Sequence, residues 1–203
     1  MDCIADLESL RTHFGTMTSI AAHKTMPWLD RYSRAFISLS PFLVLATADG
    51  DGGVDASPRG DAPGFVAMHG DTTLIIPDRP GNRRVDSFSN VIRQPGVGLI
   101  FFVPGFNETL RINGTGRVIR DNTLLAPLEV QGKVPATGLV ISIIEVFFHC
   151  GKALIRSKLW DPSRRVARDS FPSLGRIVAD QTAVMSVESA EQFVETSYSE
   201  KLY

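Results

Sequence analysis

Short apolar runs, each followed by a turn signal, dominate the chain between residues 42 and 148. The first run, Phe42–Thr47, reads as a buried strand, and the segment Asp49–Gly53 after it favours a reversal into an antiparallel neighbour. The same pattern predicts further strands at Val54–Arg59, Gly64–Met68, Thr72–Ile76, Val97–Val103, Glu108–Ile119 and Leu139–Phe148. Six or seven closely spaced strands are typical of a barrel or a sandwich, so the fold is predicted to be mainly β.

Helical spacing of apolar residues is concentrated near the two ends of the chain. Leu29–Leu39 predicts an amphipathic helix that packs against the sheet. Further helices are expected at Arg83–Arg93, near Thr123–Glu129, and at Gly151–Trp160, Pro172–Ala179 and Ser189–Leu202. We interpret 1–203 as a single domain with an N-terminal helical segment 1–40 and a C-terminal helical appendage 151–203. The appendage has too little apolar material for its own core, and we expect it to cover the barrel or a partner subunit.

Charge and cysteine content exclude several classes of function. The 21 Lys and Arg residues nearly cancel the 22 Asp and Glu residues, so no overall field favours nucleic acid or an acidic membrane surface. The longest apolar runs are shorter than the ~20 residues that a membrane-spanning helix needs. Only Cys3 and Cys150 occur, and the start of the chain lacks the basic and then apolar regions of a secretory signal. A cytoplasmic location is therefore expected.

A run of arginines after the strand Thr72–Ile76 suggests an anion site. We call the segment Pro77–Arg84 the basic turn, because Pro80 and Gly81 predict a tight reversal and Asn82 would stand at the start of a helix. The first free N–H groups of that helix would then face an anion together with Arg79, Asn82, Arg83 and Arg84. The alternative is an asparagine cap with a solvated basic first turn. Arginines beside a helix N-terminus oppose its dipole unless an anion compensates, which favours the phosphate site.

Arg59 and the strand Glu108–Ile119 supply further candidate cations. Arg59 ends a short strand, where by itself it fits a surface charge or an ion pair with Asp61. It would join an anion site only if the fold brings the separate cations together. The strand Glu108–Ile119 has one apolar face and one polar face, and the polar face carries Thr109, Arg111, Asn113, Thr115 and Arg117. That polar face fits anion recognition, and it equally fits a solvent-exposed edge with surface ion pairs.

Other familiar sites are not predicted. The nearest match to a dinucleotide fingerprint, at Gly114 and Gly116, lies inside a strand, and there is no P-loop motif. The four histidines lack metal-ligand spacing, so no metal is expected. His149 and Cys150 are adjacent, so on a strand they point to opposite faces and do not form a nucleophilic pair. No side chain is predicted as a catalytic acid or base.

Taken together, these segments resemble the pyridoxamine 5′-phosphate oxidase-like FMN-binding split-barrel family, in its bacterial branch of related proteins. The resemblance runs from about Leu29 to Ala179 and rests on Phe42–Thr47 followed by Ser57–Asp61, Leu74–Arg84, Pro95–Phe101, Glu108–Gly114 and His149–Trp160. It implies a six-stranded antiparallel split barrel with flanking helices. It also implies a homodimer that holds one FMN in each of two clefts between the subunits.

The cofactor contacts that the resemblance implies fall into three groups. Around the FMN phosphate they are Arg59 on its strand and Asn82, Arg83 and Arg84 in the basic turn. Along the rest of the cofactor they are the backbone at Ile76 and Pro77, which would border the isoalloxazine ring, and Thr109 and Arg111. From the second subunit they are residues of Lys152–Trp160, namely Lys152, Ser157 and Trp160.

The segment after Arg59 departs from the authentic oxidases. In those enzymes this strand ends in a lysine and a C-terminal Trp/Arg region binds pyridoxal phosphate, whereas this chain reads Arg59–Gly64 and then, in its last residues, Glu191–Tyr203. The resemblance therefore implies FMN binding and leaves the substrate open. The expected function is an FMN-dependent oxidoreductase acting on an unidentified small molecule. The alternatives are a flavin carrier or sensor without turnover, and a split barrel that holds a deazaflavin. Haem is not expected, because no paired ligating histidine is evident.

Overall fold

The computed structural model describes residues 1 and 3–203, and within them seven strands form one antiparallel sheet. The strands are β1 (Phe42–Ala48), β2 (Val54–Gly60), β3 (Ala67–His69), β4 (Thr73–Pro77), β5 (Gly96–Phe102), β6 (Thr109–Ile119) and β7 (Gly138–His149). Their order across the sheet is β2-β1-β5-β6-β7-β4-β3. The mainly β class that the closely spaced apolar runs and turns predicted is confirmed.

One face of the sheet, which we call the inner face, forms the core. Alternation along each strand places Leu43, Phe101 and Leu110 next to one another on this face, and all three are fully buried. Helix α3 (Arg31–Leu39) adds Phe36 and Ile37 to the same cluster. The core is therefore one continuous apolar layer that runs from the helix across most of the strands.

The sheet curls so that strands far apart in its order meet. β2 stands at one edge and β4 next to the other edge, yet two ion pairs join the end of β2 to the segment that directly follows β4. Arg59 Nη1 lies 3.4 Å from Asp78 Oδ1, and Arg79 Nε lies 2.6 Å from Asp61 Oδ2. We call these two contacts the closing ion pairs. They show that the sheet curls back towards itself, as in a barrel.

The expectation of six strands is corrected to seven by the short edge strand β3. The predicted strand Gly64–Met68 begins later than expected, at Ala67, because Gly64 has a left-handed backbone with φ of 81°. Its N–H donates to Ser40 O at 3.2 Å, so the chain is still reversing at this point. Three residues remain to pair with β4.

Eight α-helices flank the sheet in the part of the chain that the structure describes. They are α1 (Leu7–Phe14), α2 (Ser19–His23), α3, α4 (Asp86–Arg93), α5 (Asn122–Leu125), α6 (Lys152–Ser157), α7 (Leu174–Thr182) and α8 (Val187–Glu200), with 3-10 turns at Ala126–Leu128, Pro162–Arg164 and Arg168–Ser170. α4 packs against β1, β2 and β6. Across residues 1 and 3–203, none of these helices has the length and apolar character to cross a membrane.

The C-terminal helices α7 and α8 pack chiefly against each other. Gly175 of α7 is buried at their crossing, where a Cβ would lie 2.6 Å from the backbone of Glu191. Ser173 caps α7 by accepting from the Arg176 N–H, and Ser186 caps α8 in the same way. Several large apolar side chains of this hairpin are exposed, including Phe193. The assignment of the whole chain to a single domain stays a prediction.

Candidate functional site

The backbone of the basic turn differs from the predicted helix start. Arg83 and Val85 have left-handed backbones, with φ of 61° and 53°, so α4 begins at Asp86 and the prediction that it starts at Arg83 is wrong. A residue in this conformation does not continue a right-handed helix. Asn82 does not cap α4. Its side-chain oxygen accepts from the Arg84 N–H at 3.1 Å and stabilises the turn itself.

Two arginine side chains of the basic turn reach solvent. Arg83 and Arg84 are both exposed. Arg84 Nε donates to Asp86 Oδ2 at 2.8 Å, and this hydrogen bond raises the pKa of the Arg84 guanidinium above its ordinary value. Both partners are largely in water, so the pair is weak and readily exchanged for another anion. The turn therefore presents positive charge outwards.

Arg59 lies on the inner face of the sheet, beside the start of the basic turn. Its neighbour across the strands is the fully buried Leu43. Its guanidinium contacts Asp78 Oδ1 at 3.4 Å and Ser87 Oγ at 3.3 Å, and lies 5.7 Å from the ring centre of Phe88. Arg59 Nε is buried and has no hydrogen-bond partner among the described residues. The cation thus joins β2 to the end of β4 and to α4 through long, incomplete contacts.

Two carboxylates compensate the charge of Arg59. Asp78 contacts it directly, and Asp55 accepts a hydrogen bond of 2.6 Å from Ser87 Oγ, which in turn contacts Arg59. Burial raises the pKa of Asp78 above its ordinary value, although the charge and hydrogen bond of Arg59 act in the opposite direction. The alternative expectation that Arg59 pairs with Asp61 is wrong, because Asp61 follows the end of β2 and turns towards Arg79.

Asp61 is the centre of a second polar cluster, and its side chain is only 2% exposed. Its carboxylate accepts from Arg79 Nε at 2.6 Å, from the Tyr203 hydroxyl at 2.7 Å and from the Ala62 N–H at 2.7 Å. Burial alone would raise the pKa of Asp61, but the hydrogen bonds from Tyr203, Ala62 and Arg79 together hold it below its ordinary value. The bond to Asp61 in turn raises the pKa of the Tyr203 hydroxyl.

Arg79 is therefore occupied within the protein. Besides Asp61, its guanidinium donates to Leu128 O at 3.1 Å and lies 5.7 Å from the ring centre of Tyr203. Lys133 Nζ donates to the backbone oxygen of Tyr203 at 2.7 Å. Arg79 consequently anchors the start of the basic turn, whereas Arg83 and Arg84 project from its far end.

Ile76 and Pro77 end the strand that leads into the basic turn, and both are buried. They pair with Leu139 and Gly138 of β7 on one side. On the other side β3 pairs only with the preceding residues, Thr73–Ile75. The backbone edge of Ile76 and Pro77 that faces away from β7 thus extends past the end of β3.

Thr109 and Arg111 lie on the opposite face of the sheet from Arg59. Arg111 is opposite Phe147 in β7, and its guanidinium lies 5.1 Å from the centre of that ring. Thr109 is 2% exposed. The residues that alternate with them, Leu110 and Ile112, lie on the inner face, which is the face that carries Arg59. A single chain therefore does not bring Thr109 and Arg111 together with Arg59.

The C-terminal candidates belong to a third region, at α6. Trp160 Nε1 donates to Phe106 O at 2.7 Å, which fixes the indole against the loop before β6. Lys152 and Ser157 are exposed, and the Ser157 hydroxyl donates to Leu154 O at 3.1 Å within its own helix. The contacts described for these three residues do not join them to the basic turn. Their assignment to the cleft of a second subunit stays a prediction.

No curated protein sequence matches the chain. The sequence model of the family described as Pyridoxamine 5′-phosphate oxidase matches residues 29–150, which is more than half of the 203 residues. The chain belongs to this family. Its match extends from just before α3 to just after β7, and so includes Arg59, the basic turn, Thr109 and Arg111. Lys152, Ser157 and Trp160 lie outside it.

Solved structures are also similar to the chain over more than half of its length. HupZ from Group A Streptococcus is 14% identical, with 59% of this chain and 93% of that chain covered and a TM-score of 0.49. An FMN-binding protein from Syntrophomonas wolfei is 14% identical, with coverages of 57% and 82% and a TM-score of 0.45. General Stress Protein 26 from Bacillus anthracis is 15% identical, with coverages of 56% and 88% and a TM-score of 0.43. At this level of similarity they assign neither ligand nor activity.

Sequence reasoning missed four residues of the site in this member of the pyridoxamine 5′-phosphate oxidase family. Asp55, Asp78 and Ser87 surround Arg59, and Tyr203 completes the cluster of Asp61. A signal for Asp55 was available, because polar residues alternate along β2 where the neighbouring strand β1 has buried leucines. No local pattern points to Tyr203, which is far from Asp61 along the chain.

Proposed function

We propose that the chain binds FMN at the basic turn and acts as an FMN-dependent oxidoreductase on a small molecule. The observation that carries the proposal is the family match, which spans both β2 with Arg59 and the basic turn with its exposed arginines. A guanidinium fork matches the oxygens of a phosphate, and two adjacent arginines on one turn offer several such donors.

The residues present fit the phosphate of FMN with one exception. Arg83 and Arg84 are exposed, Arg84 is engaged only by its exposed pair with Asp86, and Arg59 has a buried Nε that lacks a partner among the described residues. Arg79 does not fit, because its donors already serve Asp61 and the Leu128 carbonyl. Bound FMN would supply hydride or electron transfer. The chain itself would hold the phosphate and border the ring with the free backbone edge at Ile76 and Pro77.

The first test is the visible spectrum of the purified protein, with mass spectrometry of the small molecule released on denaturation. We expect flavin absorption and the mass of FMN. The proposal would be refuted if the purified protein carried no FMN and did not bind added FMN. Release of a deazaflavin would support the phosphate site and would show that the cofactor is a deazaflavin instead of FMN.

A paired substitution tests the location of the site. Arg83→Ser with Arg84→Ser should weaken FMN binding at least about tenfold, because each lost hydrogen bond to a charged group contributes about 1.5–3 kcal/mol. Arg164→Ser with Arg165→Ser removes two adjacent exposed arginines elsewhere and should leave the Kd unchanged. Riboflavin, which lacks the phosphate, should bind all three proteins equally. Equal FMN binding by both double variants would place the phosphate away from the basic turn.

Turnover distinguishes the oxidoreductase from a carrier or sensor. Anaerobic mixing of the FMN-loaded protein with NADH or NADPH is expected to bleach the flavin absorption. If the bound flavin stayed oxidised after mixing with NADH, with NADPH and with small reductants, the result would favour a flavin carrier or sensor without turnover. A cytoplasmic location stays a prediction alongside these assignments.

The proposal includes a homodimer, supported by an apolar surface on the sheet. The face opposite the core, which we call the outer sheet patch, carries Phe42, Val44, Ile100, Phe102, Ile144 and Phe147. Ile144 is 60% exposed at a bulge in β7, and the ring centres of Phe42 and Phe102 lie 6.1 Å apart. A patch of this kind is typical of an interface between subunits. Arg111 lies beside it, so a second chain seated there would approach one of the predicted cofactor contacts.

Light scattering tests the dimer. The wild-type protein should have the mass of two chains. Phe42→Glu in the outer sheet patch should reduce the mass to one chain and weaken FMN binding, whereas Val184→Glu, at a residue 77% exposed outside the patch, should change neither. A wild-type monomer that binds FMN tightly would refute the dimer.

A further inference from the structure

Asp78 stands between Arg59 and the basic turn, and it occupies the guanidinium that the proposed function assigns to a phosphate. The contact of 3.4 Å between Arg59 Nη1 and Asp78 Oδ1 is longer than a good charge-assisted hydrogen bond. The contact of 3.3 Å to Ser87 Oγ is also long, and Nε has no partner among the described residues. The guanidinium is therefore incompletely satisfied as it stands.

We infer that a phosphate bound at the basic turn displaces Asp78 from Arg59, and that Asp78 takes up a proton when this happens. The inference rests on the proposed function, because it concerns the same phosphate site. It assigns Asp78 a role as a positioning residue that competes with the ligand and makes its affinity depend on pH.

Proton uptake follows from the charges around Asp78. Its side chain is 34% exposed, so it is only partly stabilised by water. Arg59, on β2, is the cation that faces it, and the next cation along the turn, Arg79, is held by Asp61. Asp55 lies behind Ser87 and adds a further negative charge to the same cluster. A phosphate that takes Arg59 removes the compensating cation and adds negative charge nearby, and both changes favour the neutral form of Asp78.

The sign of the pH dependence is fixed by this linkage. Burial already raises the pKa of Asp78 in the free protein, and phosphate binding raises it further. Binding therefore weakens as the pH rises from the pKa of Asp78 in the free protein to its pKa in the complex. The phosphate group itself loses its second proton near a pKa of about 6. A comparison with a variant that lacks only the Asp78 carboxylate separates the two titrations.

The experiment measures the Kd of FMN from pH 5.5 to 8.5 for the wild-type protein, Asp78→Asn and Asp71→Asn. Asp78→Asn should bind FMN about tenfold more tightly at pH 8, which corresponds to about 1.4 kcal/mol. The advantage should shrink towards pH 5.5. Asp71, which pairs with Arg34 at 2.5 Å far from the turn, is the matched control, and its variant should follow the wild type. Riboflavin should bind all three proteins equally at every pH.

Calorimetry provides a second measurement of the same linkage. Titration with FMN at several pH values from 5.5 to 7.5, in buffers of different ionisation enthalpy, should show more net proton uptake by the wild-type protein than by Asp78→Asn in the range where the wild-type Kd changes most steeply with pH, and titration with riboflavin should show none. Equal proton uptake by the wild type and Asp78→Asn across this range, or Asp78→Asn binding FMN no more tightly than wild type at pH 8, overturns the inference and leaves the proposed FMN site standing. If none of the proteins binds FMN, the proposed function and the inference both fail.

Discussion

Replacing Tyr203 by phenylalanine tests the cluster around Asp61 with the smallest possible change. The substitution removes one hydroxyl, which donates to Asp61 Oδ1 at 2.7 Å, and keeps the ring beside Arg79. A hydrogen bond to a charged group contributes about 1.5–3 kcal/mol. Asp61 retains its bonds to Arg79 and to the Ala62 N–H, so we expect a loss near the lower limit, about 1–2 kcal/mol.

The loss should depend on pH in a defined direction. The pKa of Asp61 is lower in the folded protein than in the unfolded chain, so the ionised carboxylate stabilises the fold above the unfolded pKa of about 3.9. This contribution disappears as the pH falls through the folded pKa. The difference in unfolding free energy between wild type and Tyr203→Phe should therefore be full at pH 7 and decline below about pH 4.

Urea unfolding followed by circular dichroism measures this difference. Tyr198→Phe is the control, because Tyr198 is 60% exposed and its hydroxyl makes no hydrogen bond in the part of the chain that the structure describes. The control should unfold at the wild-type urea concentration. Equal midpoints for both variants at pH 7, or a Tyr203→Phe loss that is undiminished at pH 3, would refute the role of the ionised Asp61 carboxylate.

Two further predictions concern buried contacts. Arg79→Met leaves the carboxylate of Asp61 buried without its cation and should cost about 3–5 kcal/mol, measured as a lower midpoint of thermal unfolding; a loss below about 1 kcal/mol would show that Tyr203 and water suffice. Gly175→Ala places a Cβ 2.6 Å from the Glu191 backbone and should destabilise the α7–α8 hairpin by about 1–3 kcal/mol. Faster hydrogen exchange in α7 and α8 with unchanged exchange in β5 and β6 checks this, and uniform acceleration would contradict it.

The strands were predictable because their burial follows the period of two. β1 and β6 alternate between buried and more exposed residues for most of their length, and their predicted bounds agree with the structure to within one residue. The start of α4 was not predictable in this way. Arg83 and Val85 adopt left-handed backbones without glycine or asparagine at those positions, so the composition gives no warning of the interruption.

The site was only partly predictable because its contacts join distant parts of the chain. The basic turn is a local pattern, and its exposed arginines were identified from sequence. Which arginine meets which aspartate depends on how the sheet curls, and spacing along the chain favoured Arg59 with Asp61 although Arg59 meets Asp78. Propensity and periodicity describe neighbours within an element, whereas closure of the sheet is set by the whole core.

The closing ion pairs also bear on how the barrel finds its register during folding. Arg59 in β2 is followed by Asp61 just after the strand, and on the facing segment after β4 Asp78 is followed by Arg79. The positive charge therefore comes from the β2 side in the first pair and from the β4 side in the second pair. A misaligned closure that brought Arg59 to Arg79 would place like charges together at a partly buried junction, which is costly. The alternating charges therefore select one alignment between two segments that share no backbone ladder.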